Sequence, residues 1–141
     1  ALLQRIILSG QVQAAVICPS NPYVSVAPIL SVPALRAWMK QRDFPVVAVS
    51  PIVGGAALKG PAAKMMRELG AAVNALGVAR YYGDRVDGWV IDQQDARLKR
   101  TIECEGKAVL VTDTVMSTRS KSTALAKRVV AFARTLAAER R

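Results

Sequence analysis

The stretch that most constrains the fold is Val46–Lys64, which reads VVAVSPIVGGAALKGPAAK. Its first four residues, Val46–Val49, form an apolar run rich in β-branched side chains, a pattern typical of a strand buried on both faces. Gly54-Gly55 then allows a sharp turn. Gly60-Pro61 has the form of a helix start with proline at the first helical position. The stretch therefore predicts a strand, a glycine-containing loop and a helix.

A strand, a glycine loop and a helix N-terminus in this order can hold a phosphate group, because free backbone amides and the positive end of the helix dipole point at the anion. Lys59 and Lys64 are placed to add positive charge. Gly55 and Gly60 have the glycine spacing of a Walker loop, but Pro61-Ala62 stands where that motif needs Lys-Ser/Thr. The alternative is an ordinary βα connection whose glycines serve only the turn, and spacing alone does not decide between the two.

Composition limits the chemistry. The 141 residues contain no histidine, which excludes serine or cysteine catalysis through histidine and any histidine-ligated zinc site in this chain. The formal net charge of +10 indicates an anionic partner, either nucleic acid or a phosphorylated substrate. Aromatic residues make up only 5% and are not interleaved with the basic ones, which argues against a single-strand nucleic-acid platform.

The setting predicted for the chain is cytoplasmic, with no membrane partner. No apolar run reaches the roughly 18 residues that a membrane span needs, and the first residues do not resemble a signal peptide. Cys18 and Cys104 are isolated, which is typical of a reducing compartment.

Four apolar runs predict strands, with helices between them. The predicted strands are Ala14–Cys18, Val46–Val49, Val86–Ile91 and Ala108–Thr112. The predicted helices are Ala1–Ser9, Ala34–Gln41, Ala62–Leu69, Ala75–Tyr82, Ala96–Cys104 and Ser117–Arg141. With no hairpin signal identified, this alternation predicts an α/β fold, in which a parallel sheet with right-handed crossovers is flanked by helices.

Within the helices, Asn74 is predicted to cap Ala75–Tyr82, and Met65, Met66 and Leu69 are predicted to face the core. The C-terminal helix is predicted to bury one stripe and to expose most of its basic residues to solvent. The stripe consists of Leu125, Val129, Phe132 and Leu136.

Small polar residues follow the predicted strands. Ser20 and Asn21 follow the first strand, Ser50 the second and Asp113 the fourth. Because the carboxyl ends of parallel strands meet at one edge, where α/β folds place ligands, we predict a site at this edge. The alternative, of equal weight, is that Ser20, Asn21 and Asp113 only order their own loops.

Four aspartates around the third strand are candidate ligands for a metal ion. They are Asp84, Asp87, Asp92 and Asp95. Their spacing matches no EF-hand loop, and Asp92 and Asp95 are well placed to cap the next helix. Helix capping is therefore the favoured interpretation.

Several segments together resemble the 2-phospho-L-lactate transferase family, which takes part in the biosynthesis of coenzyme F-420. They are ICPSNPYVSVAPIL, VVAVSPIVGGAALKGPAAKMMRELG, GVARYYGD, DGWVID and VLVTDTVM, in this order between about Ala15 and Phe132. The resemblance implies a Rossmann-like fold and places residues 1–141 as a single α/β domain or half-domain from the C-terminal portion of a longer transferase.

The family resemblance implies transfer of a phospholactyl (or phosphoenolpyruvyl) group from a GDP-activated donor to a deazaflavin precursor, with release of GMP and with Mg²⁺ bound by residues of an N-terminal half. Phosphoryl-type transfer needs positioning and charge neutralisation more than a histidine nucleophile. The residues expected to bind substrate are Ser20, Asn21, Pro22, Ser50, Gly54, Gly55, Lys59 and Gly60. Asp113 is the predicted catalytic carboxylate, and no metal ligand is assigned in this chain.

Two other functions stay open. A non-catalytic regulatory relative that binds nucleotide sugars would use the same edge of the sheet, and a basic nucleic-acid-binding module is supported by charge alone. An uncovered sheet edge also predicts association, either between copies of the chain or with the N-terminal half of the enzyme.

Overall fold

The computed structural model describes residues 5–6 and 9–140. Most of the predicted helix Ala1–Ser9 lies outside this range. The described chain is built around four parallel strands, β1 (Ala15–Ile17), β2 (Val46–Val49), β5 (Gly88–Asp92) and β6 (Ala108–Thr112), in the spatial order β1-β2-β5-β6. The predicted α/β Rossmann-like class is confirmed.

The helices that connect the strands are short except for the last one. They are α1 (Ala27–Ser31), α2 (Pro33–Lys40), α3 (Ala62–Glu68), α4 (Ala75–Tyr82), α5 (Lys99–Cys104) and α6 (Arg119–Glu139). Single turns precede α1 at Pro22–Val26 and β5 at Gly83–Arg85, and a 3₁₀ segment, Gln93–Leu98, leads into α5. Among the described residues, no helix combines the length and the apolar character that crossing a membrane requires.

Both faces of the sheet are covered, so β2 and β5 are buried throughout. On one face Val46, Ala48 and Trp89 pack with residues from α3, α4 and α5. On the other face Val47 and Val90 pack against α6. The described side chains of α6 that are buried are Leu125, Val129, Ala133 and Leu136, with Phe132 half-buried, so the predicted stripe is confirmed.

A β-hairpin that was not predicted follows β2. Strands β3 (Ile52–Val53) and β4 (Ala56–Ala57) pair antiparallel across Gly54 and Gly55. Both glycines have positive φ, 58° and 82°, as a tight two-residue hairpin turn requires. The expectation of a sheet without hairpins is therefore wrong. A Gly-Gly pair between short apolar runs is itself the missed signal.

The helix ends partly follow the predictions. Asn74 caps α4 as predicted, because its side chain accepts a hydrogen bond from the Gly77 N–H. Helix α3 begins at Ala62, so Pro61 is the N-cap residue and not the first helical residue. Leu69 was predicted to face the core and is 64% exposed, because α3 ends before it.

The predicted helix Ala96–Cys104 is also only partly correct, since its first three residues belong to the 3₁₀ segment. Asp92 caps that segment by accepting from the Gln94 N–H. Asp95 was predicted to cap as well, but its carboxylate accepts from the Gly54 N–H instead. The Asp95 side chain thereby anchors the hairpin to the segment after β5.

Asp87 fixes the opposite, amino end of the sheet. Its carboxylate accepts from the Val46 N–H at 2.7 Å and pairs with Arg42 at 3.2 Å and Arg140 at 2.6 Å. Arg140 also donates to the carbonyl oxygen of Phe44 at 3.0 Å. Asp87 is therefore a structural residue, and Arg140 joins the end of α6 to the sheet.

Candidate functional site

The carboxyl ends of the strands border a cavity of about 500 Å³, which we call the strand-end cleft. Pro19 and Asn21 line it from the β1 side, Ser50 and Pro51 from the β2 side, and residues 114–117 from the β6 side. Leu58, Lys59 and Ala62 complete the wall. The edge of the sheet that the sequence pattern indicated therefore carries a cavity of the size that small ligands occupy.

Asn21 orders the loop after β1. Its Oδ1 atom accepts from the backbone N–H groups of Tyr23 and Val24 at 2.9 and 3.3 Å, and its Nδ2 lies 3.4 Å from the sulfur of Met65. The proline that follows, Pro22, presets the first turn of the Pro22–Val26 segment. Loop geometry thus holds Asn21 at the cleft wall.

Ser50 is buried, and its hydroxyl is used locally. Its Oγ donates to the Ile52 carbonyl oxygen at 2.9 Å and accepts from the Ile52 N–H at 3.2 Å. These bonds turn the chain out of β2 and into the hairpin. Lys59 is the cation in the cleft wall; it is exposed and forms no ion pair with any described carboxylate.

Asp92 joins the ends of β5 and β6. It is 1% exposed, and its Oδ2 accepts from both the backbone N–H and the hydroxyl of Thr114, at 2.8 and 3.1 Å. Its Oδ1 accepts from the Gln94 N–H at 2.9 Å. Sequence reasoning stopped at Asp113 and missed Thr114. Its position just past the end of a predicted strand was the available signal.

Asp113 lies on the loop after β6 and does not line the cleft. Its Oδ2 lies 2.9 Å from Lys121 Nζ, and its Oδ1 accepts from the Val115 N–H at 3.0 Å. The hydrogen bond from Lys121, followed by the one from Val115, holds the pKa of the Asp113 carboxyl below its usual value. The carboxylate thus orders the loop that carries residues 114–117.

Replacing Lys121 with glutamine is expected to raise the pKa of Asp113 towards its ordinary value. Because the pKa of Asp113 is lower in the folded state, its ionised carboxylate stabilises the fold at pH values above its pKa in the unfolded state. This stabilisation is lost as the pH falls through the pKa of the folded state. The acid dependence of stability below about pH 4 should therefore shrink in Lys121→Gln. The carboxyl ¹³C shift of Asp113 as a function of pH measures the change. An equal change in Lys127→Gln, an exposed control on the same helix, would contradict the assignment.

The nine predicted site residues do not all lie in the wall of the cleft. Of the nine, Asn21, Ser50 and Lys59 line the strand-end cleft. Gly54 and Gly55 form the hairpin turn, and the Gly54 N–H is already bonded to Asp95. Those beside the cleft but not lining it are Ser20, Pro22 and Gly60. Lys64 is paired with Glu68 at 3.7 Å on the exposed side of α3.

The described part of the chain holds no group of three or more aspartate, glutamate, cysteine or histidine side chains that could bind a metal ion. Asp92 is engaged by three donors, and Asp113 by Lys121 and Val115. These residues do not fit a magnesium site by themselves. The cleft offers instead an ammonium group, an amide and backbone groups, a set suited to an anionic ligand.

A parallel sheet covered on both faces, with a cleft at the carboxyl ends of its strands, defines a Rossmann-like α/β protein, a class in which ligands bind at this edge of the sheet. The family model "2-phospho-L-lactate transferase CofD" matches residues 10–131, and the chain belongs to this family. The family membership predicted from the sequence is confirmed.

Individual relatives agree with the family match. The chain is 43% identical over 117 residues to the 2-phospho-L-lactate transferase of Methanocaldococcus jannaschii. The aligned region covers 83% of this chain and 36% of the relative. Over 112 residues, the chain is 42% identical to the 2-phospho-L-lactate transferase of Methanosarcina barkeri and 43% identical to that of Methanosarcina mazei. Each of these alignments covers 79% of this chain and 36% of the relative. The chain therefore spans about a third of the length of these relatives.

Proposed function

We propose that this chain forms part of a transferase of coenzyme F-420 biosynthesis. The reaction would move a phospholactyl (or phosphoenolpyruvyl) group from a GDP-activated donor to a deazaflavin precursor and release GMP. The observation that carries the proposal is the family match over residues 10–131, joined to a cleft at the expected edge of the sheet. The cytoplasm is the setting that we propose for this activity.

Within that reaction the strand-end cleft would hold a phosphate-bearing part of a substrate. Lys59 would neutralise charge that develops on the transferred group, the main demand of phosphoryl-type transfer. Asn21, which lines the same cleft, would limit the space beside the transferred group. A Mg²⁺ ion, which would stabilise charge on the phosphate oxygens, would take its ligands from outside this chain.

We assign Asp113 a positioning role. A carboxylate whose pKa is lowered by Lys121 is a weak proton acceptor near neutral pH. Its hydrogen bond to the Val115 N–H orders a segment that lines the cleft. The catalytic role predicted for Asp113 stays a prediction.

Transferase activity is expected when the chain is combined with a polypeptide corresponding to the remaining part of the relatives, and not from the chain alone. GMP release from the GDP-activated donor, measured with the deazaflavin precursor, reads out turnover. Sedimentation velocity on the same samples tests whether the chain associates with that polypeptide or with itself, as an uncovered sheet edge predicts.

Lys59→Met should lower turnover in that assembly by about tenfold or more, equivalent to about 1.4 kcal/mol of transition-state stabilisation. Lys64→Met is the matched control, because Lys64 is also exposed but pairs with Glu68 outside the cleft. Equal activities in the two variants would remove Lys59 from the site. Saturable binding of a nucleotide sugar without turnover would favour the regulatory alternative instead.

A further inference from the structure

A second cavity, of about 730 Å³, lies away from the strand-end cleft, beside the amino ends of β2 and β5. Helices α1 and α2 form one wall, and the end of α4 with the Gly83–Arg85 turn forms the other. It shares no lining residue with the strand-end cleft. We call it the basic cavity because of the side chains described next.

Five of its lining residues are cationic, and one is acidic. The cations are Arg36, Lys40, Arg42, Arg80 and Arg85. The single carboxylate, Asp84, is fully exposed and lies 3.6 Å from Lys107, which does not line the cavity. Cations that line one concave surface repel one another, and a bound anion would reduce this repulsion.

Two of the five cations have a carboxylate partner. Arg42 pairs with Asp87 at 3.2 Å, and Arg80 pairs with Glu105 at 2.6 Å. Arg36, Lys40 and Arg85 form no ion pair with any carboxylate of residues 5–6 and 9–140. Three positive charges on this surface are therefore left uncompensated.

The wall also contains a buried donor with no acceptor. Arg42 is only 12% exposed at its side chain, and its guanidinium donates to the carbonyl oxygens of Met39 and Asp84. Its Nε–H is buried and has no hydrogen-bond partner among the described atoms. The ring of Tyr81, with Arg85 5.9 Å from its centre, supplies a rigid apolar surface beside the charges.

We propose that the basic cavity binds a small molecule that carries two or more linked phosphate groups. Its volume lies within the range of about 300 to 1,000 Å³ typical of small-molecule sites. Guanidinium groups bind phosphate oxygens through paired hydrogen bonds, and a polyvalent anion would neutralise several cations at once. The cations surround a concavity and do not form a stripe along the surface, which favours a small ligand over nucleic acid. This site is independent of the transferase reaction proposed above.

The test is calorimetric titration of the 141-residue chain with inorganic pyrophosphate, at low and at physiological ionic strength. Saturable binding that weakens as salt rises is expected, because partly exposed charges are screened. In the triple variant Arg36→Gln, Lys40→Gln, Arg85→Gln the affinity should fall by about tenfold or more, equivalent to at least about 1.4 kcal/mol of binding free energy. Circular dichroism verifies that the variants are folded.

The matched control is Lys127→Gln, Arg128→Gln, Arg134→Gln, which removes the same charge from exposed positions of α6. A change of less than about twofold is expected there, because unpaired charges on another helix are screened. Equal losses in the two triple variants would show a net-charge effect and overturn the proposal. The proposal would also be overturned if the affinity for pyrophosphate were lost in Lys59→Gln but kept in the cavity variant. Tighter binding of duplex DNA through Arg36, Lys40 and Arg85 would overturn it too. So would the absence of any saturable binding of pyrophosphate.

Discussion

Gly77→Ala is expected to destabilise the fold by about 3 kcal/mol, although alanine is the better helix former. A Cβ at Gly77 would overlap the backbone carbonyl oxygen of Ala72 and would lie 3.1 Å from the Met66 side chain. The carbonyl cannot move freely, because it accepts a hydrogen bond from the Asn74 N–H at 3.0 Å. Asn74 in turn caps α4 through the Gly77 N–H. The midpoint of urea unfolding of the chain measures the effect.

The two effects at Gly77 have opposite signs, which makes the result decisive. Helix propensity alone predicts a gain of about 1 kcal/mol from glycine to alanine. Ala124→Gly, at an exposed position within α6, measures that propensity in the same protein and should lose about 1 kcal/mol. If Gly77→Ala stabilised the chain, the inference that α4 packs too closely on the 70–74 loop to admit a Cβ at position 77 would be wrong.

Asp92→Ala is expected to lower the free energy of unfolding by roughly 3 kcal/mol, because it removes the acceptor from three hydrogen bonds at a buried position. Thr114 is 3% exposed, so its N–H and hydroxyl would lose their partner without reaching water. Gln94 is an exposed residue, so losing the bond to its N–H is expected to cost less than losing the two bonds to Thr114. Amide hydrogen exchange at Thr114 should accelerate in the variant, since the segment after β6 is no longer bonded to the side chain at the end of β5.

Two milder variants separate the contributions at Asp92. Asp92→Asn keeps one acceptor oxygen and is expected to lose about half as much, whereas Thr114→Val removes only the hydroxyl donor and should lose about 1 kcal/mol. If the free energy of unfolding of Asp92→Ala were within about 0.5 kcal/mol of that of the unaltered chain, these hydrogen bonds would add no more stability than the bonds to water that replace them in the unfolded state. Slow exchange at Thr114 in that variant would contradict the proposed junction between the strands.

Local sequence patterns predicted the elements whose formation is decided within a few residues. Strands Val46–Val49 and Ala108–Thr112 were predicted with the bounds that the structure has, because short apolar runs rich in β-branched side chains carry their own signal, although only Val46–Val49 is buried throughout. Helix Ala75–Tyr82 and its cap Asn74 were also predicted, since a cap acts through a bond spanning three residues. The hairpin was missed because two-residue strands are too short to show alternation.

The candidate site could be predicted only as an edge of the sheet. Parallel strands determine where the loops meet, so Asn21 and Ser50 were expected together and do line one cleft, which Lys59, predicted separately as a charge beside the glycine loop, also lines. The same reasoning could not tell which loop residues face the cleft and which are used within the loop. Asp113 is bonded to Lys121 and Val115, and the glycines of the hairpin carry a turn.

The sequence by itself determined the alternation of strands and helices, the two buried faces of the sheet and the family. Only the tertiary structure decided the partners of charged and polar side chains. Asp95 bonds the amide of Gly54, 41 residues away, and Asp87 pairs with Arg140, 53 residues away. The basic cavity likewise joins Arg36 and Lys40 to Arg85 across the molecule. Secondary structure follows from periodicity along the chain, whereas hydrogen bonds and ion pairs require that distant segments come within about 3 Å of each other, which only the packing of the whole domain brings about.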